Sequence, residues 1–378
     1  MKNDKRVRSK KRSFNNRSGE SIKIDYVAGC RYDLHADTYN VVPGRKMPGR
    51  DNTGRVTMKI KTLLSAAILA ASSFSTAAFA DEVTLRGVSA FNLGTTFSRE
   101  FEAFVDWINE NGKGVVQIQL VGGPEAVPPF ELGNAVQSGV VDIANNTTAF
   151  YPNLVPTGDA IHLAENTVQE QRANGCYDLI DRIHQEQMNV KFLARAGDGM
   201  GFHLYLTKPI DGPDLSGLTI RTTPVYQAMF SALGANLVRT APGEVYSALE
   251  RGAIDGYGWP AQGVLDLGWD EQTKYRVDPS FYNVDVNLLV NLDIWNGLTD
   301  EQRAKLEEGA AWMEELNAKN AEINAAEYAK QAEAGIGTIT LNDADADKWL
   351  ETAQTEGWAA VDAVDAALSK ELQACLTK

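Results

Sequence analysis

From residue 81 onward the apolar positions switch between a period of two and a period near 3.6. Residues 83–88 alternate as a strand, and residues 96–109 then set Phe97, Phe101, Phe104, Val105 and Ile108 on one helical face. Gly112 and Gly114 end that helix, residues 115–120 read as a second strand, 128–138 as a helix and 140–144 as a third strand. The order returns further along. Residues 218–221 form a strand, Thr223 and Pro224 open a helix as N-cap and first helical residue, and strand (236–239), helix (243–250) and strand (253–257) follow. This alternation predicts an α/β chain. Residues 135–142 and 248–255 also align without a gap, each with a helix end, a glycine stop (Gly139, Gly252) and an apolar strand holding an aspartate. Two similar α/β lobes are therefore expected.

Residues 299–334 depart from the alternation. Thr299 and Gln302 have capping-box spacing, no proline interrupts the run, and Gly335 supplies the stop. Such a helix would be about 50 Å long, more than one small lobe, so it is expected to lie across both.

Upstream, Met58, Lys59 and Lys61 precede a largely apolar run over residues 63–78 that ends in Ala78-Phe79-Ala80. A short basic region, an apolar stretch and a small-x-small site predict a signal peptide at 58–80, cleaved after Ala80, and hence export. Ser72, Ser73, Ser75 and Thr76 break the run, which is shorter than the roughly 20 apolar residues a spanning helix needs. Residues 1–57 are polar and unpatterned and are expected to be a non-native extension from an upstream start.

That cut changes the charge picture. Residues 1–80 hold 16 basic and 6 acidic side chains, which leaves 20 basic and 44 acidic ones in 81–378, a net charge of −24. Such a surface repels nucleic acid and anionic membrane, and an anionic ligand would need a local site to overcome the field. Cys30 falls in the discarded segment. Cys176 and Cys375 remain, and in an oxidising compartment they read as a structural disulfide, free buried thiols being the alternative.

Catalytic patterns are not evident. His162, His184 and His203 have no ligand spacing, and there is no Gly-x-Ser-x-Gly. Gly197, Gly199 and Gly201 follow a strand but lead into another strand at 202–206, so they suit a crossing between lobes better than a phosphate loop. No cofactor is expected. Binding has more support. Arg221 ends a strand just before a proline-started helix, where the ligand crevice of α/β folds lies, and its planar fork suits a carboxylate. A surface arginine is the competing explanation. Trp259 sits at the end of the matching strand, able to wall a pocket or to pack in the core. Asn145, Asn146 and Thr147 hold the same place in the first lobe.

Gly217-Leu218-Thr219-Ile220-Arg221-Thr222-Thr223-Pro224, the run 243–249, Gly252-Ala253-Ile254-Asp255-Gly256, Trp259-Pro260 and the helix start at 298–306 together resemble the DctP-type substrate-binding proteins of TRAP transporters, over essentially all of 81–378. The resemblance implies a two-lobed, periplasmic-binding-protein-like (type II) fold with a long bridging helix. Lobe I would be 81–201 with 286–325, and lobe II 202–285 with 326–378. It implies that Arg221 pairs with a ligand carboxylate, that Trp259 contacts ligand, that Tyr282 to Asp285 line the pocket, and that Asn92 is a further candidate; Asn146, Thr147 and Thr223 are candidates by their places at strand ends and a helix start. Sialic-acid binders of the family carry a second arginine where this chain has His203 and Tyr205, which are expected to give neutral hydrogen bonds instead. Metal-using relatives place a glutamate where Gly258 stands, so no metal is expected. The expected role is periplasmic capture of a small organic acid, a 2-oxo, 2-hydroxy or aromatic monocarboxylate, for two TRAP membrane subunits, without membrane insertion. A dicarboxylate receptor, a sensor domain and an exported enzyme are the alternatives.

Overall fold

A computed structural model describes residues 81–378 and, ahead of them, a two-residue antiparallel ladder, Phe14–Asn15 with Ser21–Ile22. The expected signal peptide and its cleavage site lie outside the described residues, as does the rest of the extension at 1–57. The first lobe begins β1 (Val83–Ser89), α1 (Thr96–Asn111), β2 (Val116–Gly122), α2 (Leu132–Gln137) and β3 (Ile143–Asn146). It continues with α3 (Val168–Asn174), α4 (Cys176–Met188) and β4 (Val190–Ala196). The second lobe follows as β5 (Phe202–Leu206), β6 (Thr219–Thr222), α5 (Pro224–Ala232), β7 (Asn236–Arg239), α6 (Pro242–Glu250), β8 (Gly256–Pro260) and β9 (Tyr275–Asp278). The chain then returns through β10 (Val286–Asn291), α7 (Leu292–Gly297), α8 (Asp300–Glu315) and α9 (Asn320–Glu333) to β11 (Gly337–Thr340) and α10 (Asp343–Leu376).

The strands form two sheets, ordered β2-β1-β3-β10-β4 and β11-β9-β5-β8-β6-β7. β1, β2 and β3 run parallel, as do β6, β7 and β8, because a helix crosses over between successive strands. β10 enters the first sheet antiparallel, and β5 enters the second antiparallel. Phe97, Phe101, Phe104, Val105 and Ile108 are buried on one face of α1, as their spacing predicts.

The two aspartates of the duplicated segments make equivalent bonds. Asp142 accepts the Arg86 amide at 2.7 Å and donates its own amide to the Arg86 carbonyl at 3.0 Å. Asp255 does the same with Thr219, at 2.8 and 2.7 Å. Each side chain locks the start of one strand to its parallel neighbour. Strands β3 and β8 therefore begin just after the aspartate, later than residues 140 and 253 where the pattern put them. Gly139 and Gly252, both at positive φ, spend the intervening residues on the approach. The helix expected at 128–138 starts at Leu132, with a turn on the Pro128 carbonyl before it.

The predicted bridging helix is present in two parts. α8 packs on α1 and β4, α9 lies beside β11, and residues Leu316–Lys319 between them tighten to a 3₁₀ turn. Around this turn Asn317 accepts the amides of Gly197 and Asp198, while Asn320 and Asn324 donate to the carbonyls of Asp198 and Gly199. The asparagines thus hold the glycine crossing between the sheets. The return crossing pairs with it through Phe202 to Tyr282 and Val284 to Met200.

α10 bridges as well, packing on α5 in one lobe and on 158–163 and α4 in the other. Its end differs from the expected placement of 326–378 in the second lobe. Cys375 is bonded to Cys176 of α4, and the Leu376 carbonyl accepts the Glu165 and Asn166 amides, so the terminus is tied to the first lobe. Cross-links over long loops restrict the unfolded chain strongly. Cys375→Ser should therefore lower unfolding free energy by about 2–4 kcal/mol in denaturant titrations under non-reducing conditions. Equal midpoints and slopes for both proteins would show that the cross-link adds nothing.

Candidate functional site

Arg221 is fully buried at the C-terminal end of β6. Its Nε and Nη2 donate to the Thr240 carbonyl at 3.1 and 2.8 Å, and Nη1 donates to the Tyr226 hydroxyl at 2.9 Å. A guanidinium has five N–H groups, so two remain, one on each terminal nitrogen. No carboxylate contacts it among the described residues, whereas the buried Arg195 and Arg276 have Asp198 and Asp278. Tyr226, from the first turn of α5, passes the bond on to the Gly258 carbonyl at 2.9 Å. A Cβ on Gly258 would sit 2.9 Å from the Tyr226 ring, so glycine is what lets tyrosine reach the arginine.

Trp259 stands over this group, its ring 5.8 Å from the guanidinium carbon. It packs edge-on against Trp269 and, across the lobes, against Phe97 at 5.6 Å. A cleft lies between the lobes here. Two adjoining cavities, of about 140 and 40 Å³, share Phe91, Phe97 and Trp259 as walls. The first lobe adds Phe150, and the second adds Tyr226 and Phe202. Arg221 itself lines neither cavity; its neighbours Thr223, Tyr226, Ala241 and Trp259 do.

Two contacts hold the rim together. Asp266 of the second lobe accepts the Thr96 amide and hydroxyl at 2.8 and 2.7 Å, and pairs with Arg99 at 3.3 Å. The carboxylate thus caps the N-terminus of α1, where the helix dipole favours a negative charge. On the other side the Arg239 guanidinium lies 4.7 Å from the Phe130 ring centre.

The remaining sequence candidates divide in two. Asn92 lines the larger cavity, and Thr223, Thr147 and Asp285 line the smaller one. The Thr223 hydroxyl and the Trp259 indole N–H are buried with no partner. Asp285 is satisfied on both oxygens, by the Thr147 hydroxyl at 2.6 Å, the Thr148 amide at 3.0 Å and the Asn287 amide at 2.5 Å, with His162 Nε2 at 3.1 Å. Burial pushes its carboxyl up, but His162 and these bonds outweigh that and leave it below the usual carboxylate value. It supports the wall and has no acceptor capacity left for a ligand.

The other candidates lie elsewhere. His203 donates from Nδ1 to the Val277 carbonyl and pairs through Nε2 with the Tyr328 hydroxyl under α9. Tyr205 is spent on the Pro260 carbonyl and Gln331 beneath the same helix. Tyr282 donates to the Ala353 carbonyl at 2.7 Å, and Asn146 is buried outside both cavities, its side-chain oxygen accepting the Thr147 amide. Residues the sequence reading passed over are Tyr226, Phe91, Phe97, Phe150 and Phe202. Tyr226 could have been found three positions after the N-cap Thr223, in the helix turn facing the strand end.

Asp285 also begins a buried relay: Asn287 bonds Asp285 and the Tyr151 hydroxyl, and Tyr151 donates to His184 Nε2. His184 Nδ1 donates to the Ile180 carbonyl, a bond that favours the charged ring, but burial outweighs it and lowers the pKa to about 4.

The chain belongs to the bacterial extracellular solute-binding proteins of family 7, DctP, whose family model matches residues 89–360. It is a TRAP-type solute-binding protein, from a family of binding proteins and not enzymes. Among its relatives is a monocarboxylate 2-oxoacid-binding periplasmic protein of Nostoc sp., 27% identical over 249 residues, 61% of this chain and 67% of the relative. An ectoine-binding periplasmic protein of Halomonas elongata is 23% identical over 222 residues, 55% of this chain and 63% of that one. The fold matches a TRAP solute-binding protein of Roseobacter denitrificans solved with L-galactonate, with a TM-score of 0.68 at 19% identity over 77% of this chain and 99% of the other. It also matches a Bordetella pertussis solute receptor that binds pyroglutamic acid, with a TM-score of 0.70 at 17% identity over 78% and 99%. No helix among the described residues is long and apolar enough to cross a membrane.

Two expectations follow. Asp266→Ala removes the rim cap and should shift the closed-to-open ratio about five-fold, or about 1 kcal/mol, read from spin-label distances across the cleft. An unchanged distance distribution would show the cap to be idle. The second concerns pH. Because His184 has a folded-state value of about 4, below its ordinary 6.5, its contribution to stability is full above 6.5 and is lost as pH falls toward 4. Asp159, which burial raises to about 6, acts with the opposite sign as pH falls through that value, so the variant comparison isolates the histidine. Wild type should lose about 2 kcal/mol more than His184→Gln between pH 7.5 and 5 in urea titrations. Parallel pH profiles would exclude that role.

Proposed function

We propose that this protein is exported to the periplasm and captures a small monocarboxylate, a 2-oxo, 2-hydroxy or aromatic acid, for the two membrane components of a TRAP transporter. The observation that carries the ligand charge is Arg221: a buried guanidinium without a carboxylate partner and with one N–H spare on each terminal nitrogen. A charge so placed is costly unless an anion completes it. The Nostoc relative is named for monocarboxylate 2-oxoacids, and fold neighbours were solved with galactonate and malonate, all of them acids. The proposed site comprises Arg221, Trp259, Thr223 and Asn92, with Tyr226 positioning the arginine. The lobes are divided at the two crossings, so that opening the Asp266 and Arg239 contacts uncovers Arg221 and ligand binding favours the closed form.

Ligand is held without metal in this reading. Tyr226 fills the space that a side chain at position 258 would need, which is where metal-using relatives are expected to carry their carboxylate. Arg221→Ala should weaken carboxylate binding by about 2–5 kcal/mol in isothermal titration against pyruvate and phenylpyruvate, with Arg221→Lys recovering part of it. Unchanged affinity in the alanine variant would dismiss the site.

A further inference from the structure

Building on the carboxylate site just proposed, we infer that the ligand carries one carboxylate and an apolar ring, an arylalkanoic or aryl 2-oxo acid. The polar groups with capacity to spare decide this. They are the Thr223 hydroxyl and the Trp259 indole N–H, on residues that line the cleft, and, behind this wall, the two spare N–H groups of Arg221. Thr223 and Trp259 are 3% and 5% exposed, so these are buried donors awaiting an acceptor. Gly263 leaves the indole N–H uncovered, since a Cβ there would sit 3.2 Å from that nitrogen. Four donors match the roughly four lone-pair positions of one carboxylate.

On the cleft wall nothing comparable is left for a second polar group; Asn146 Nδ2 and Asn287 Oδ1, also buried without partners, belong to side chains that line neither cavity. Thr147 is spent on Asp285, Thr95 on the Asn92 carbonyl, Thr96 on Asp266 and Tyr226 on the Gly258 carbonyl. Asp285 has no free acceptor position, and Asn92 lies on the exposed lip. A polyol or a second carboxylate would enter without partners and lose its hydration uncompensated. The rest of the wall is aromatic. Phe91 packs on Phe97 and Phe150 at centroid separations of 5.3 and 5.7 Å, and Phe202 faces them from the other lobe. Such rings accept another ring edge-on or offset, and reward its removal from water.

Isothermal titration of the purified protein with phenylpyruvate, phenylacetate, pyruvate, galactonate and malonate tests this. An aryl acid should bind at least ten-fold more tightly than pyruvate, galactonate or malonate. Phe150→Leu or Phe97→Leu should reduce that ratio, by weakening the aryl acid more than pyruvate. If pyruvate, galactonate or malonate binds as tightly as the aryl acids, and Arg221→Ala still abolishes binding, the ring is wrong and the carboxylate site stands. If no acid binds, or Arg221→Ala has no effect, both fall together.

Discussion

The structure is organised around a positive charge that has been taken out of water and left without a counter-charge. Arg221 is held by a backbone carbonyl and a tyrosine hydroxyl, neutral acceptors that fix its plane without cancelling its charge. That arrangement fixes its surroundings. Tyr226 must reach across to the guanidinium, so position 258 has to be glycine, and the strand can then present Trp259 over the group. The setting is a segment with a net charge of −24, whose long-range field works against an anion. Only a short-range interaction in a low-dielectric cleft can reverse that preference, which is why the cation is buried and not displayed.

Burying it requires two lobes that meet repeatably. Both crossings between the sheets are paired with each other, and three asparagines around the 3₁₀ turn between α8 and α9 hold the outgoing one. α10 spans the lobes a second time and is closed by the Cys176–Cys375 bond. On the cleft side the lobes touch through surface contacts of the weak kind, Asp266 on the α1 terminus and Arg239 over Phe130.

Much of this was legible in the sequence, and the limits have physical causes. Helix faces, the glycine stops and Arg221 followed from periodicity and from the geometry of strand ends. His203 and Tyr205 did not, because both faces of β5 are buried and alternation cannot say which meets the cleft and which meets α9. Asp285 was found as a wall residue, but its saturation comes from Thr147, Asn287 and His162, partners brought in from other segments and from its own strand. The aromatic partners from the first lobe are contacts of the tertiary fold that no local spacing encodes. The placement of the chain's end on the first lobe likewise depends on α10 being long enough to span both.

The duplicated frame shows how one scaffold yields an asymmetric site. The aspartate bonds put Arg86 in register with Thr219 and Asp142 with Asp255, and the strand pairs Gly87–Ile143 and Ile220–Gly256 continue the match. One step on, Arg221 corresponds to Val88, paired with Ala144 as Arg221 is with Tyr257. Two further on, Trp259 corresponds to Asn146. The second lobe therefore places its charge and its indole where the first lobe has an aliphatic side chain and a buried amide. From the segments that follow its strands the first lobe offers the cleft mainly phenylalanine rings, Phe91, Phe97 and Phe150. The common frame fixes where strand ends meet the cleft, and a few substitutions at equivalent positions put a cation behind one wall and leave the other apolar. A ligand with an anionic end and an apolar end has a single orientation in which both walls are satisfied.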